Sequence, residues 1–141
     1  MSLEQLTDKG LYSLQLPSNN NSIAVVENFV DDLVATLAIG DDVYANLMTC
    51  LNEAVTNAIF HGNKQDPEKI VYFNLELVNN KRLIFTIADE GSGFDFNNLP
   101  DPTSPENLEN LSGRGVFIMK QLADQCIFNT LGNEVELHFK I

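Results

Sequence analysis

The sequence predicts an α+β sandwich, with helices layered on one face of a mixed, mostly antiparallel sheet. Three observations predict it. Helical and strand periodicities are interleaved without the regular alternation of a parallel βαβ fold. The strands come as hairpins, with Asn79-Asn80 and Gly132-Asn133 as turn pairs. The chain has 141 residues, 44% of them hydrophobic, which suits a single core and a single domain over 1–141.

The elements follow in order. Leu11 to Leu16 alternates as a strand does. Pro17 and the run Ser18-Asn19-Asn20-Asn21-Ser22 break it and supply N-cap side chains. A helix is expected over Ile23–Leu37, with Ile23, Val26, Phe29 or Val30, Leu33 and Leu37 inward and Gly40 stopping it. Asp41 or Asp42 caps a second helix over Val43–His61, with Val43, Leu47, Leu51, Ala54, Val55 and Ala58 as its apolar stripe. Strands are expected over Ile70–Leu77 and Leu83–Ala88. The segment Asp89–Leu111 is rich in Gly, Pro, Asn and Asp, and Pro100, Pro102 and Pro105 forbid one continuous helix there. A loop of that length in a compact domain is functional or mobile. Gly113-Arg114-Gly115 opens a helix over Val116–Ala123, and strands over Cys126–Thr130 and Val135–Ile141 close the chain.

Charge narrows the function. The net charge is −12, and the eight Lys and Arg residues form no basic stripe. A nucleic-acid backbone would be repelled, so direct binding to it is not expected. The acidic surface suits a basic protein partner, or solubility alone. Cys50 and Cys126 form no C-x-x-C pair and read as buried reduced thiols. The N-terminus lacks a signal-peptide pattern, and no apolar run reaches membrane-spanning length, so a cytoplasmic location is expected.

Three segments carry chemistry. In Leu51-Asn52-Glu53-Ala54-Val55-Thr56-Asn57-Ala58, Glu53 and Asn57 stand one turn apart on one helix face, with His61 a further turn on. An Asn carbonyl suits Mg²⁺, and a neighbouring Glu can act as a base; an exposed polar pair is the bland alternative. In Asp89-Glu90-Gly91-Ser92-Gly93, a carboxylate at a strand end can accept from a ligand amine, and the glycines permit close backbone approach. In Ser112-Gly113-Arg114-Gly115, free N–H groups at a helix start and the Arg114 charge make an anion site; a flexible junction is the alternative.

Taken in order, these segments resemble the gyrase, histidine-kinase and MutL ATPase superfamily with its Bergerat nucleotide fold. The wording of Leu51–Gly62 (L-N-E-A-V-T-N-A-I-F-H-G), Pro100–Pro105 (P-D-P-T-S-P) and Ser112–Gly115 (S-G-R-G) is similar to its short anti-sigma serine kinase branch. The resemblance spans about Ser22 to Ile141. It implies an ATP site in which Asn57 ligates Mg²⁺, Asp89 accepts from the adenine amine, and Gly91 and Gly93 shape the floor under the base. Gly113, Arg114 and Gly115 would wrap the phosphates at the base of a lid spanning about 94–114, and Glu53 would be the general base. One position departs from the family pattern: Asn133 stands where a Thr commonly supports the adenine contact. The implied function is an ATP-dependent anti-sigma serine/threonine kinase. It would phosphorylate a STAS-domain antagonist and sequester a sigma factor by partner switching, with a homodimer as the implied assembly. A non-catalytic, nucleotide-dependent binding module and a simple ATP hydrolase are the alternative readings.

Overall fold

Alternation along the strands dictates a sheet with one apolar and one polar face, and the apolar face must be covered. A computed structural model of the chain describes residues 10–94 and 111–141 and shows that arrangement. Strands β1 (Leu11–Pro17), β2 (Ile70–Val78), β3 (Arg82–Ala88), β4 (Gln125–Phe128) and β5 (Glu134–Lys140) form one sheet in the order β1-β2-β3-β5-β4. All four pairings are antiparallel, so the room the sequence left for a parallel pair is not used. Val71, Phe73, Leu75, Leu83, Phe85, Ile87, Val135, Leu137 and Phe139 are buried on the inner face. An aromatic row crosses it: Tyr12 stacks on Phe29, which meets Phe73 edge-on, followed by Phe85 and Phe139.

Helices α1 (Asn21–Leu37), α2 (Asp41–Thr56) and α3 (Leu111–Leu122) cover that face, with α2 between the other two. α1 buries Val26, Phe29, Val30 and Leu33 as its periodicity requires. Its first turn is capped by Asn19, whose side chain accepts the Asn21 N–H at 3.0 Å, while Asn20 in the cap position makes no such bond. It ends at Ala38 and not at Gly40: Ala38 takes the left-handed conformation (φ 53°, ψ 46°) and its N–H returns to the Val34 carbonyl. Gly40 is extended and stands at the N-cap of α2, which leaves Asp41 and Asp42 in the first turn, where carboxylates face the positive end of the helix dipole.

The last turn of α2 widens into a π-helical turn over Asn57–Gly62, with the Asn63 N–H reaching the Ala58 carbonyl five residues back. Such turns are uncommon and concentrate at functional sites. The β2–β3 turn is as the sequence predicts, with Asn79 and Asn80 both left-handed (φ 53° and 57°). α3 begins at Leu111, earlier than expected, so Gly113, Arg114 and Gly115 lie inside its opening turns and do not precede it. The greater part of the expected lid, 95–110, falls outside the described residues.

Candidate functional site

The site begins where β3 ends. The Asp89 N–H donates to the Asn133 carbonyl at 2.9 Å, continuing the β3–β5 ladder by one step. Side chains alternate across a sheet, so Asp89 and Asn133 share the inner face with Ile87 and Val135. The next turn folds back on the carboxylate, with the Gly91 N–H donating to Asp89 Oδ1 at 2.8 Å. Burial pushes the Asp89 carboxyl above its ordinary range, an effect the Gly91 N–H and the Lys69 charge offset in part.

Asp89 looks into a cavity of roughly 210 Å³ under the sheet. Ala54 of α2, Asn57 and Ala58 of the π-helical turn, and Val116 and Met119 of α3 line it together with Ile87 and Val135. The wall is largely apolar with a few polar groups at one end, the usual composition of a small-molecule pocket. Its size and the carboxylate at its end fit a flat heteroaromatic ring bearing an amine.

Of the residues singled out in the sequence, Asn57, Asp89, Gly93 and Asn133 line this cavity together, and so does His61, exposed at the end of α2. Glu53 does not line it. Glu53 and Asn57 instead stand side by side against α3: a methyl placed on Gly115 would lie 2.7 Å from Glu53 Oε2 and 3.1 Å from Asn57 Nδ2. The bareness of Gly115 therefore lets α3 close onto the acidic face of α2. Gly91 likewise is required by its own fold, because a side chain there would collide with the Gly62 carbonyl. Gly93 is left-handed (φ 85°), and a side chain on it would strike the Leu131 carbonyl. Arg114 is half-buried, and no partner for it is present among the described residues; Gly113 lies in the first turn of α3.

Sequence reading missed several members. Gly62 reads as a helix stop, yet a side chain on it would collide with the Asp89 carboxylate, so its smallness makes room for that group. Asn63 is fully buried; its oxygen accepts the Glu90 N–H at 2.7 Å, and its nitrogen donates to Ser18 Oγ and to the Ile70 carbonyl. It thus ties the peptide after Asp89 to the end of α2 and to β1 and β2. Asn129 organises the turn before Asn133. No sequence signal marks Asn63: its burial is a tertiary fact, and an amide buried so fully needs such partners. Both thiols are free, Cys50 buried and Cys126 half-buried against the expectation that both are buried; burial pushes Cys50 up to about 12 and Cys126 up to about 11.

These residues suit Mg-ATP. The pocket offers an acceptor for an exocyclic amine, Asn57 offers an amide oxygen, and the opening turns of α3 offer N–H groups and Arg114 nearby.

Comparison with known proteins gives the family. Residues 16–139 match the family described as the histidine kinase-like ATPase domain. Anti-sigma F factor from Anoxybacillus flavithermus is 34% identical over 124 residues, covering 83% of this chain and 80% of that protein. The anti-sigma F factor of Geobacillus sp. strain WCH70 is 36% identical with the same coverage, and that of Heyndrickxia coagulans is 37% identical over 76% of this chain and 73% of its own. A crystal structure of the RsbU and RsbW domains of Rv1364c from Mycobacterium tuberculosis superposes on 92% of this chain and 31% of that one, with a TM-score of 0.63 at 13% identity, a likeness of fold. The chain belongs to the histidine kinase-like ATPase family, among the relatives named anti-sigma F factors.

Proposed function

We propose that this protein is an ATP-dependent anti-sigma regulator that phosphorylates a serine on a STAS-type antagonist and, when free of it, sequesters a sigma factor. The observation that carries the reading is the pairing of Glu53 with Asn57 against Gly115, beside the cavity that Asp89 closes. A nucleotide module without chemistry has no use for a carboxylate next to the metal-binding amide. The names of the relatives, anti-sigma F factors, support the partner class.

In this reading each residue has a distinct task. Asp89 accepts from the adenine amine. Asn57 holds Mg²⁺ through its side-chain oxygen; its nitrogen is the end nearer α3. Arg114 and the N–H groups of the first turn of α3 face the phosphates. Glu53 takes the proton from the partner's serine hydroxyl as its oxygen bonds to phosphorus, and ADP leaves. When bound, ATP supplies the phosphoryl group and Mg²⁺ neutralises charge on its oxygens. The phosphorylated antagonist then carries added negative charge against an already acidic protein, which favours its release.

Radiolabelled phosphate transfer to a STAS-domain partner tests this, with nucleotide affinity measured in parallel. Glu53→Gln should bind nucleotide and partner normally while transfer falls by about two to four orders of magnitude. Asn57→Ala should weaken Mg-ATP binding itself. Undiminished transfer by Glu53→Gln would remove Glu53 as the base. A wild type that binds ATP and transfers nothing to any partner would be a sequestering module.

A further inference from the structure

We propose that Asn129 is a positioning residue that locks the Asn133 amide one way round, so that the pocket reads the amidine edge of a purine and rejects the lactam edge. The proposal rests on the nucleotide reading of the cavity and adds the group that sets its base selectivity.

The hydrogen bonds around Asn129 and Asn133 leave no choice of amide orientation. Asn129 Oδ1 accepts three backbone N–H groups, from Gly132 at 2.8 Å, Asn133 at 3.0 Å and Glu134 at 3.2 Å. Backbone N–H groups only donate, so the end of the Asn129 amide facing them must be its oxygen. The other end is then the NH₂ group, and it donates to Asn133 Oδ1 at 2.7 Å. That contact in turn requires the far end of the Asn133 amide to be nitrogen, and Nδ2 donates one hydrogen to the Gly91 carbonyl at 3.2 Å. Its second hydrogen has no partner among the described residues, and Asn133 lines the cavity.

Asn133 therefore offers the pocket a donor, where a hydroxyl could rotate to serve as donor or acceptor. Beside it Asp89 offers an acceptor, because Oδ1 is occupied by Gly91 and Oδ2 remains. A fixed acceptor next to a fixed donor complements an amine adjacent to an unprotonated ring nitrogen, as in adenine. Hypoxanthine and guanine present a carbonyl adjacent to a ring N–H, which sets acceptor against acceptor and donor against donor.

Inosine triphosphate differs from ATP at this edge alone, so the two are the probes. Calorimetric titration with each in the presence of Mg²⁺ should show wild type preferring ATP. Asn129→Asp keeps an acceptor for the three backbone N–H groups but sets a carboxylate oxygen against Asn133 Oδ1. The Asn133 amide then turns round to donate to that carboxylate, giving up its bond to the Gly91 carbonyl, and presents oxygen to the pocket. The ATP-to-inosine-triphosphate preference should fall about tenfold, the worth of one hydrogen bond. Asn133→Asp, which keeps the Asn129 contact but brings an acceptor to the pocket, should lower the same ratio. A purely structural role for Asn129 would lower stability and leave the ratio alone. Both variants keeping the wild-type ratio would overturn the proposal, and so would a wild type that binds the two nucleotides equally, although the nucleotide reading would then stand. A wild type that binds neither would overturn both.

Discussion

Asp89 combines two demands that oppose each other. In its proposed role the carboxylate is buried to meet a ligand amine, and burial raises its pKa above the ordinary value of 3.8. A group whose folded pKa is raised binds its proton more tightly in the folded state, so ionising it weakens folding. The loss is nil where Asp89 is protonated in both states and complete once pH exceeds the folded pKa. Asp89→Asn keeps an oxygen for the Gly91 N–H and removes the charge. It should therefore melt at a higher temperature than wild type at about pH 7, and the gap should close as pH falls toward about 4. Thermal melts across that range check it; a variant less stable than wild type at neutral pH would contradict it. The position of Asp89 at a strand end, before a glycine turn, was legible in the sequence. Gly62 was not, because its partner lies 27 positions away in sequence and only the folded chain brings a carboxylate against its Cα.

At the scale of elements, local pattern and tertiary contact divide the information. The apolar stripes of α1 and α2 and the alternation of β2 and β3 were readable, because each repeats its period several times. Helix ends were less so. Gly40 is the obvious stop by residue type, yet α1 ends at Ala38, since Ile39 is buried in the core and the chain must turn before it. A left-handed alanine carries a steric cost that glycine avoids. Ala38→Gly should stabilise the protein by about 0.5–1 kcal/mol after its greater unfolded-state entropy is deducted. Chemical denaturation with an unchanged m-value checks this, and a destabilised variant would show that the Ala38 conformation is not strained. The Asn63 ties were invisible from sequence because they depend on Ser18 after β1, on Ile70 of β2 and on the peptide after Asp89, and no local period encodes them; nor does any period mark the π-helical turn that precedes them.

At the scale of the whole molecule, the hairpins were readable and the strand order was not. β5 lies between β3 and β4, so the final strand completes the sheet's interior and leaves β4 at the edge. That insertion sets Asn133 beside Asp89 and so makes the pocket. Charge acts at the same scale. The chain carries 20 Asp and Glu against 8 Lys and Arg, and among the described residues no Lys or Arg pairs with a carboxylate, while His138 Nε2 lies 3.1 Å from Glu136 Oε2. Without extensive pairing, like charges crowded by folding repel one another, and the unfolded chain relieves that repulsion by expanding. Salt shortens the reach of charge from about 30 Å at 0.01 M to about 8 Å at 0.15 M, which is less than the span of the domain. The melting temperature should accordingly rise with added sodium chloride, most steeply below about 0.2 M, and potassium chloride should act alike because screening depends on ionic strength and not on the identity of the ion. Scanning calorimetry over that range is the check. A melting temperature that falls with salt would mean that attractive pairs outweigh the net repulsion, and the acidic surface would then be held in place by specific contacts.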